Sequence, residues 1–228
     1  MPVVMKTLSC KRAVGAFTLV ELLVVAAMLA ILVALLLPAM DHRPTRATIV
    51  HCINNLRQVG IALQMFADDN NGQFPQQVSI TNGGSLELIA SNSPVLHFRT
   101  LSNYLHGSQL VWHCQADDSR QPLTNNSALT DANLSYFFSV DATHAMTNAI
   151  HAGDRNLQVA GQPVKPGLFT LTTNAALGWT REMHTKYAGR RCGNLLFVDA
   201  HVQVFQANLP LASAVQHQDL TTNRLVVP

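Results

Sequence analysis

Gly15-Ala16-Phe17-Thr18-Leu19-Val20-Glu21-Leu22-Leu23-Val24-Val25 opens a run that stays apolar from Leu22 to Leu37, and its reading decides the architecture. About 20 apolar residues at 1.5 Å each cover a bilayer core, so residues 17–38 read as a membrane-spanning helix. Lys6, Lys11 and Arg12 precede the run. Basic residues beside a span stay on the cytoplasmic side, which leaves the leader in the cytoplasm and everything beyond Pro38 outside. Arg43 and Arg46 weaken that bias without reversing it. A secretory signal peptide fits poorly, because its apolar region is shorter, ends at a small-residue cleavage site and holds no acid. The plain alternative is an uncleaved signal anchor.

Glu21 argues against that anchor. A carboxylate inside an apolar span costs on the order of 2–3 kcal/mol and usually has a partner. Cleavage between Ala16 and Phe17 leaves a new α-amine four residues away from Glu21, on its own chain or on a neighbour packed beside it. The simpler reading puts Glu21 at the membrane boundary, reaching back to water.

Leader charge, small junction residue, Phe17, the spacing to Glu21 and the apolar run together resemble the class III signal of type IV prepilins and type II secretion pseudopilins. The glycine that usually precedes the cut stands one place early, at Gly15, with Ala16 at the junction. Two further stretches, Cys52-Ile53-Asn54-Asn55-Leu56-Arg57-Gln58-Val59-Gly60 and Ala67-Asp68-Asp69-Asn70-Asn71-Gly72-Gln73-Phe74-Pro75, are similar to pseudopilin-G-like proteins of the planctomycete and verrucomicrobial type. Gly153-Asp154-Arg155-Asn156-Leu157 resembles a recurrent segment of that group. His184, Gly193-Asn194, Asp199 and His201 resemble its C-terminal signature, with Ala200 where a glycine is usual.

The resemblance implies an α+β, pilin-like fold, in which a long N-terminal helix with a membrane-spanning first half packs on a small antiparallel β-sheet head. Residues 1–16 become a cleaved basic leader, 17–38 a transmembrane and assembly helix, 39–71 its amphipathic continuation and 72–228 an extracytoplasmic head. It also implies cleavage ahead of Phe17 by prepilin peptidase, N-methylation of Phe17, a bend at Pro38, and assembly in which Glu21 meets a neighbour's amine. The expected role is structural, in a type II secretion pseudopilus or a type IV pilus-like filament. The expected partners are prepilin peptidase, other pseudopilin subunits and further copies of itself, a secretion inner-membrane platform and membrane lipid. The expected location is the bacterial inner membrane, single-pass, with the head in the periplasm. The alternative is a membrane-tethered extracytoplasmic binding or enzymatic domain using a prepilin-type anchor.

Beyond Pro38 the apolar positions Ile49, Cys52, Ile53, Leu56, Val59, Leu63 and Phe66 recur at three- and four-residue steps, one face of a helix. Asp68-Asp69-Asn70-Asn71-Gly72 ends it. Pro44 lacks a backbone donor and should kink or interrupt the helix around Asp41–Arg43. Strands are expected over Leu110–Cys114, Ser135–Val140, Ala149–Ala152, Leu168–Thr172 and Asn194–Phe205. The last reads as a hairpin with a two-residue turn at Asp199-Ala200, Val198 opposite His201, and Leu195, Phe197, Val202 and Val204 on one core face. Such a turn prefers glycine at the second position, so Ala200 also admits a different turn or register.

A net charge of +2 and the lack of a basic stripe interleaved with aromatics exclude nucleic acid as a partner. No nucleophile motif or phosphate-binding glycine loop is present, so the chain does not read as an enzyme. His184, Asp199 and His201 are candidate zinc or calcium ligands at the hairpin end, set against polar loop residues bonded to backbone. No cofactor is otherwise expected. Cys10 leaves with the leader. Cys114 and Cys192 are a candidate disulfide pair, set against small buried thiols.

Overall fold

The computed structural model describes residues 18–40, 44–105, 109–123, 128–173, 175–184, 191–206 and 220–228. The chain divides between Arg43 and Pro44 into two units.

The first unit holds α1 (Leu19–Met40). The helix opens on a reciprocal cap. Thr18 donates to Glu21 Oε2 from both its backbone N and its Oγ1, at 2.9 Å each, and the Glu21 N–H returns to Thr18 Oγ1 at 3.3 Å. That is a capping box, with an acid in the first turn where the helix dipole favours it. The uninterrupted apolar stretch is therefore Leu22–Leu37, sixteen residues, against about 20 for a bilayer core.

Among the described residues, no helix is long and apolar enough to cross a membrane. This overturns the transmembrane segment 17–38 and the single-pass inner-membrane location with a periplasmic head. The interruption expected around Asp41–Arg43 falls on residues outside those described. α1 is described past Pro38 to Met40, and α2 (Pro44–Asp69) has Pro44 as its first residue. Proline serves well as a first helical residue, where its missing N–H is not needed, and poorly inside one.

The second unit begins with α2. Cys52, Leu56, Val59, Leu63, Phe66 and Ala67 are buried along one stripe. Asn71 and Gly72 take positive φ (55° and 75°), and the Gly72 N–H reaches back to the Ala67 carbonyl at 2.8 Å. This left-handed stop closes α2. After it come short 3-10 turns and α3 (Val95–Arg99). Leu110–Trp112, expected as part of a strand, lie in a 3-10 turn, where Asn55 of α2 donates to the carbonyls of Leu110 (3.2 Å) and His113 (3.0 Å).

Among the described residues nine strands follow: β1 (Tyr136–Ser139), β2 (Ile150–Asp154), β3 (Leu157–Val159), β4 (Gln162–Pro163), β5 (Gly167–Thr172), β6 (Leu177–Trp179), β7 (Cys192–Phe197), β8 (Val202–Gln206) and β9 (Thr222–Val227). They form an antiparallel six-stranded sheet in the order β5-β9-β1-β2-β7-β8 and a three-stranded sheet β4-β3-β6. The head is thus a mixed helix and sheet body with two sheets, which corrects the single small sheet. The central strands β1, β2 and β7 are buried throughout. One core joins Tyr136, Phe138, Ala152, Leu196 and Val226 to α2 and α3; the other joins Phe137, Ile150, Leu195, Phe197 and Leu225 to Leu157 and Trp179 of the small sheet. Ile150 and Ala152 serve opposite cores because the β2–β7 register slips between them. Such a bulge turns the following residues to the other face.

The hairpin register differs from the expected one. Phe197 donates to the His201 carbonyl and Ala200 to the Phe197 carbonyl, both at 3.0 Å, and Leu196 faces Val202. The loop is the three residues Val198-Asp199-Ala200, closed by Ala200 at φ 66°. This is a tight turn followed by a left-handed residue, a common three-residue hairpin connection. One residue of slip moves Val202 beside Leu196 and α2, and leaves Leu195 and Phe197 on the opposite face.

Candidate functional site

The hidden face of the large sheet, toward α2, carries polar chemistry where hydrocarbon is usual. Asp154 ends β2 opposite Tyr136. Asn194, two residues before Leu196, shares that face. His184 reaches the same place from the chain after β6, held at φ 60°. A non-glycine residue in that region is uncommon and tends to mark a site the surroundings impose.

His184 Nε2 donates to Asp154 Oδ2 at 2.9 Å, and the same oxygen accepts from Asn194 N at 2.7 Å and Asn194 Nδ2 at 2.9 Å. Both members of the His–Asp pair are shielded, at 1% and 0% side-chain exposure. Burial disfavours the imidazolium, but the Asp154 carboxylate outweighs it, with help from Asp117, and the His184 pKa is raised. Asp154 Oδ1, His184 Nδ1 and Asn194 Oδ1 are buried without a hydrogen-bond partner among the described residues.

The fourth neighbour is sulfur. Cys114 Sγ lies 3.7 Å from His184 Nε2. Cys114 is bonded to Cys52 of α2 in a disulfide spanning 62 residues of sequence. This corrects the candidate pair Cys114–Cys192. Cys52 projects from the buried stripe of α2 toward the chain after Trp112, whereas Cys192 is a free, buried thiol at the start of β7. Burial, with Asp154 nearby, pushes the Cys192 thiol up to about 11, so it stays protonated at neutral pH.

The candidate metal set is not brought together. His184 belongs to the buried pair with Asp154, while Asp199 and His201 sit half-exposed at the hairpin and bond to each other through Oδ1 and Nδ1. His201 also stacks on Phe197, with ring centres 4.3 Å apart. Asp154 and Arg155, adjacent in sequence, part company across the strand. Arg155 Nε and Nη2 donate to Asp117 at 2.7 and 2.8 Å, and Nη1 to Glu182 at 2.9 Å. Burial raises the Asp117 carboxyl, but the Arg155 guanidinium outweighs it and holds it below its ordinary value.

Glu21 is described at the α1 cap, and Pro38 within α1; Ala16 and Phe17 lie outside the described residues. Sequence reasoning passed over Cys52, Asp154 and Asn194 as members of one centre. Asp154, His184 and Asn194 stood in stretches singled out by resemblance, which marked them without joining them, and Cys52 lay on the apolar face of α2, where a cysteine passes for a small hydrophobe. The chain matches no protein-family model, no curated protein and no solved structure.

Proposed function

We propose that the chain is the subunit of a pilin-like filament, cut by prepilin peptidase between Ala16 and Phe17, N-methylated on Phe17 and polymerised through α1. The observation that supports this most is the surface of α1. Leu19, Val20, Leu22, Leu23, Val24, Val25, Met28, Leu29, Ile31, Leu32 and Val33 are each at least 46% exposed. Monomers in water rarely show an apolar patch above a few hundred Å². A helix apolar on every side asks for cover on every side, and a bundle of the same helix from other copies supplies it. Other pseudopilin subunits and a secretion platform are the remaining partners of this reading, which holds for a secretion pseudopilus and for a surface filament alike.

The test is the intact mass and N-terminal sequence of the full chain co-expressed with a prepilin peptidase. A product that starts at N-methyl-Phe17 and sediments as polymer is the expected result. A chain that keeps Lys6 to Ala16 under those conditions overturns the proposal.

A further inference from the structure

We infer that the dithiol form of this chain holds a soft divalent metal, Zn2+ in type, between Cys52, Cys114, His184 and Asp154. The site is separate from the filament reading and stands or falls without it. Cys52 Sγ, Cys114 Sγ and a His184 ring nitrogen all lie within 4.8 Å of one another, and all three residues are buried. A tetrahedral Zn2+, with Zn–S about 2.3 Å and Zn–N about 2.0–2.1 Å, sets sulfur and nitrogen about 3.6 Å apart. Cys114 Sγ and His184 Nε2 are 3.7 Å apart. On the other side of Nε2, Asp154 Oδ2 stands 2.9 Å away, against about 3.4 Å for the N···O edge of such a site. A shift of about half an ångström makes that carboxylate the fourth ligand.

The ligand atoms decide the metal class. Two thiolates, an imidazole and one carboxylate suit Zn2+, whereas Ca2+ asks for six or more oxygens. Among the described residues Asp154 Oδ1 and His184 Nδ1 have no hydrogen-bond partner. With metal on Nε2, the single imidazole proton sits on Nδ1, and a carboxylate ligand keeps a free oxygen.

Thiolates bind metal and disulfide sulfurs do not, so the two forms exclude each other. A dithiol reductant gives two electrons and two protons to the Cys52–Cys114 bond, becomes a disulfide itself and leaves two thiols. Zn2+ uptake then releases one proton from each thiol. Either form fastens α2 to the chain after Trp112, by a covalent bond or by the metal. The metal form also ties in the end of β2 and the chain after β6.

The experiment uses the full chain in mild detergent, reduced with a phosphine, freed of metal and titrated with Co2+ as a spectroscopic stand-in. We expect one Co2+ per chain with the thiolate-to-cobalt absorption of a tetrahedral site, displaced by Zn2+, and no uptake by the oxidised chain. Cys52→Ser and Cys114→Ser should each lose the two-thiolate signature, and His184→Ala should abolish stoichiometric binding. Asp154→Asn should weaken binding by about tenfold or more. Cys192→Ser should bind like the parent. The inference is overturned if the reduced chain takes up no stoichiometric Co2+, if the oxidised chain binds equally, or if the signature survives loss of Cys52 and Cys114. A reduced chain that is unfolded without metal and not refolded by it overturns the inference too.

Discussion

Ala200 holds φ at 66° as the last residue of the Val198-Asp199-Ala200 loop, a conformation that glycine takes without strain and alanine does not. Ala200→Gly should therefore stabilise the head by about 0.5–1 kcal/mol, read as a higher urea midpoint with an unchanged slope. Two other single residues govern the acid limb. Burial lowers His97 to about 4 and His151 to about 3. His97 stacks on Phe138 with its Nδ1 2.7 Å from Ser85 Oγ, and His151 lies against Phe74 and Phe138. Each is neutral when folded and titrates near 6.5 when unfolded, so the unfolded chain binds more protons as pH falls from 6.5 toward 4. The head should lose on the order of 3 kcal/mol over that window from His97 alone. Urea titrations at stepped pH should show a shallower fall for His97→Asn, whatever its stability at pH 7; an equal slope would refute the assignment. His184 works the other way. Its raised pKa gives stability that is complete below about 6.5 and fades as pH rises through the folded value. The strain at Ala200 was legible in the sequence, because turn chemistry is local, and His184 was marked by resemblance, whereas nothing marked His97 or His151 as buried. A histidine's burial is set by partners far along the chain.

The element that joins most of the head is α2, and its legibility was uneven for a physical reason. The three- and four-residue recurrence of apolar residues marked the face that is buried, and Asn71-Gly72 marked the end. Periodicity reports which face is hidden without saying what it meets. The partner of Cys52 was therefore invisible, as was β9, whose Thr222–Val227 pairs with both β1 and β5. The β7–β8 register was off by one for a related reason: Val198 is apolar enough to pass for a strand residue, yet it belongs to the loop and packs in the α2-side core. The same distance in sequence that hid the disulfide makes it consequential. A cross-link closing a loop of 62 residues lowers the entropy of the unfolded chain enough to add about 4 kcal/mol in the chain-entropy account. Reduction in the presence of chelator should remove most of that, seen as a fall in the urea midpoint of the head. Cys52→Ala/Cys114→Ala should show the lowered value without reductant and no further response to it. Zn2+ added to the reduced parent should restore part of the loss and do nothing for the double variant.

For the whole molecule, the issue is what Glu21 is for. The sequence offered a carboxylate in search of a partner, and the structure supplies one three residues away, in the Thr18 cap. A cap of this kind contributes about 1 kcal/mol to its helix. If capping were its whole role, Thr18→Ala and Glu21→Ala would impair the protein alike, since each breaks the same reciprocal box. If Glu21 also meets the terminal amine of a neighbouring copy after cleavage, the two variants part. Thr18→Ala then frays the first turn and leaves polymer formation within about twofold of the parent, while Glu21→Ala abolishes it. Glu21→Gln should follow Glu21→Ala in this case, because the amide keeps the cap acceptor but loses the charge that an ammonium requires. The measurement is sedimentation of processed chains, scored together with N-terminal sequence so that failed cleavage is not mistaken for failed assembly. Processed Glu21→Ala chains that still polymerise would leave the apolar surface of α1 as the sole driving force. The carboxylate would then be a helix cap and nothing more, and register along the filament would have to come from contacts between heads.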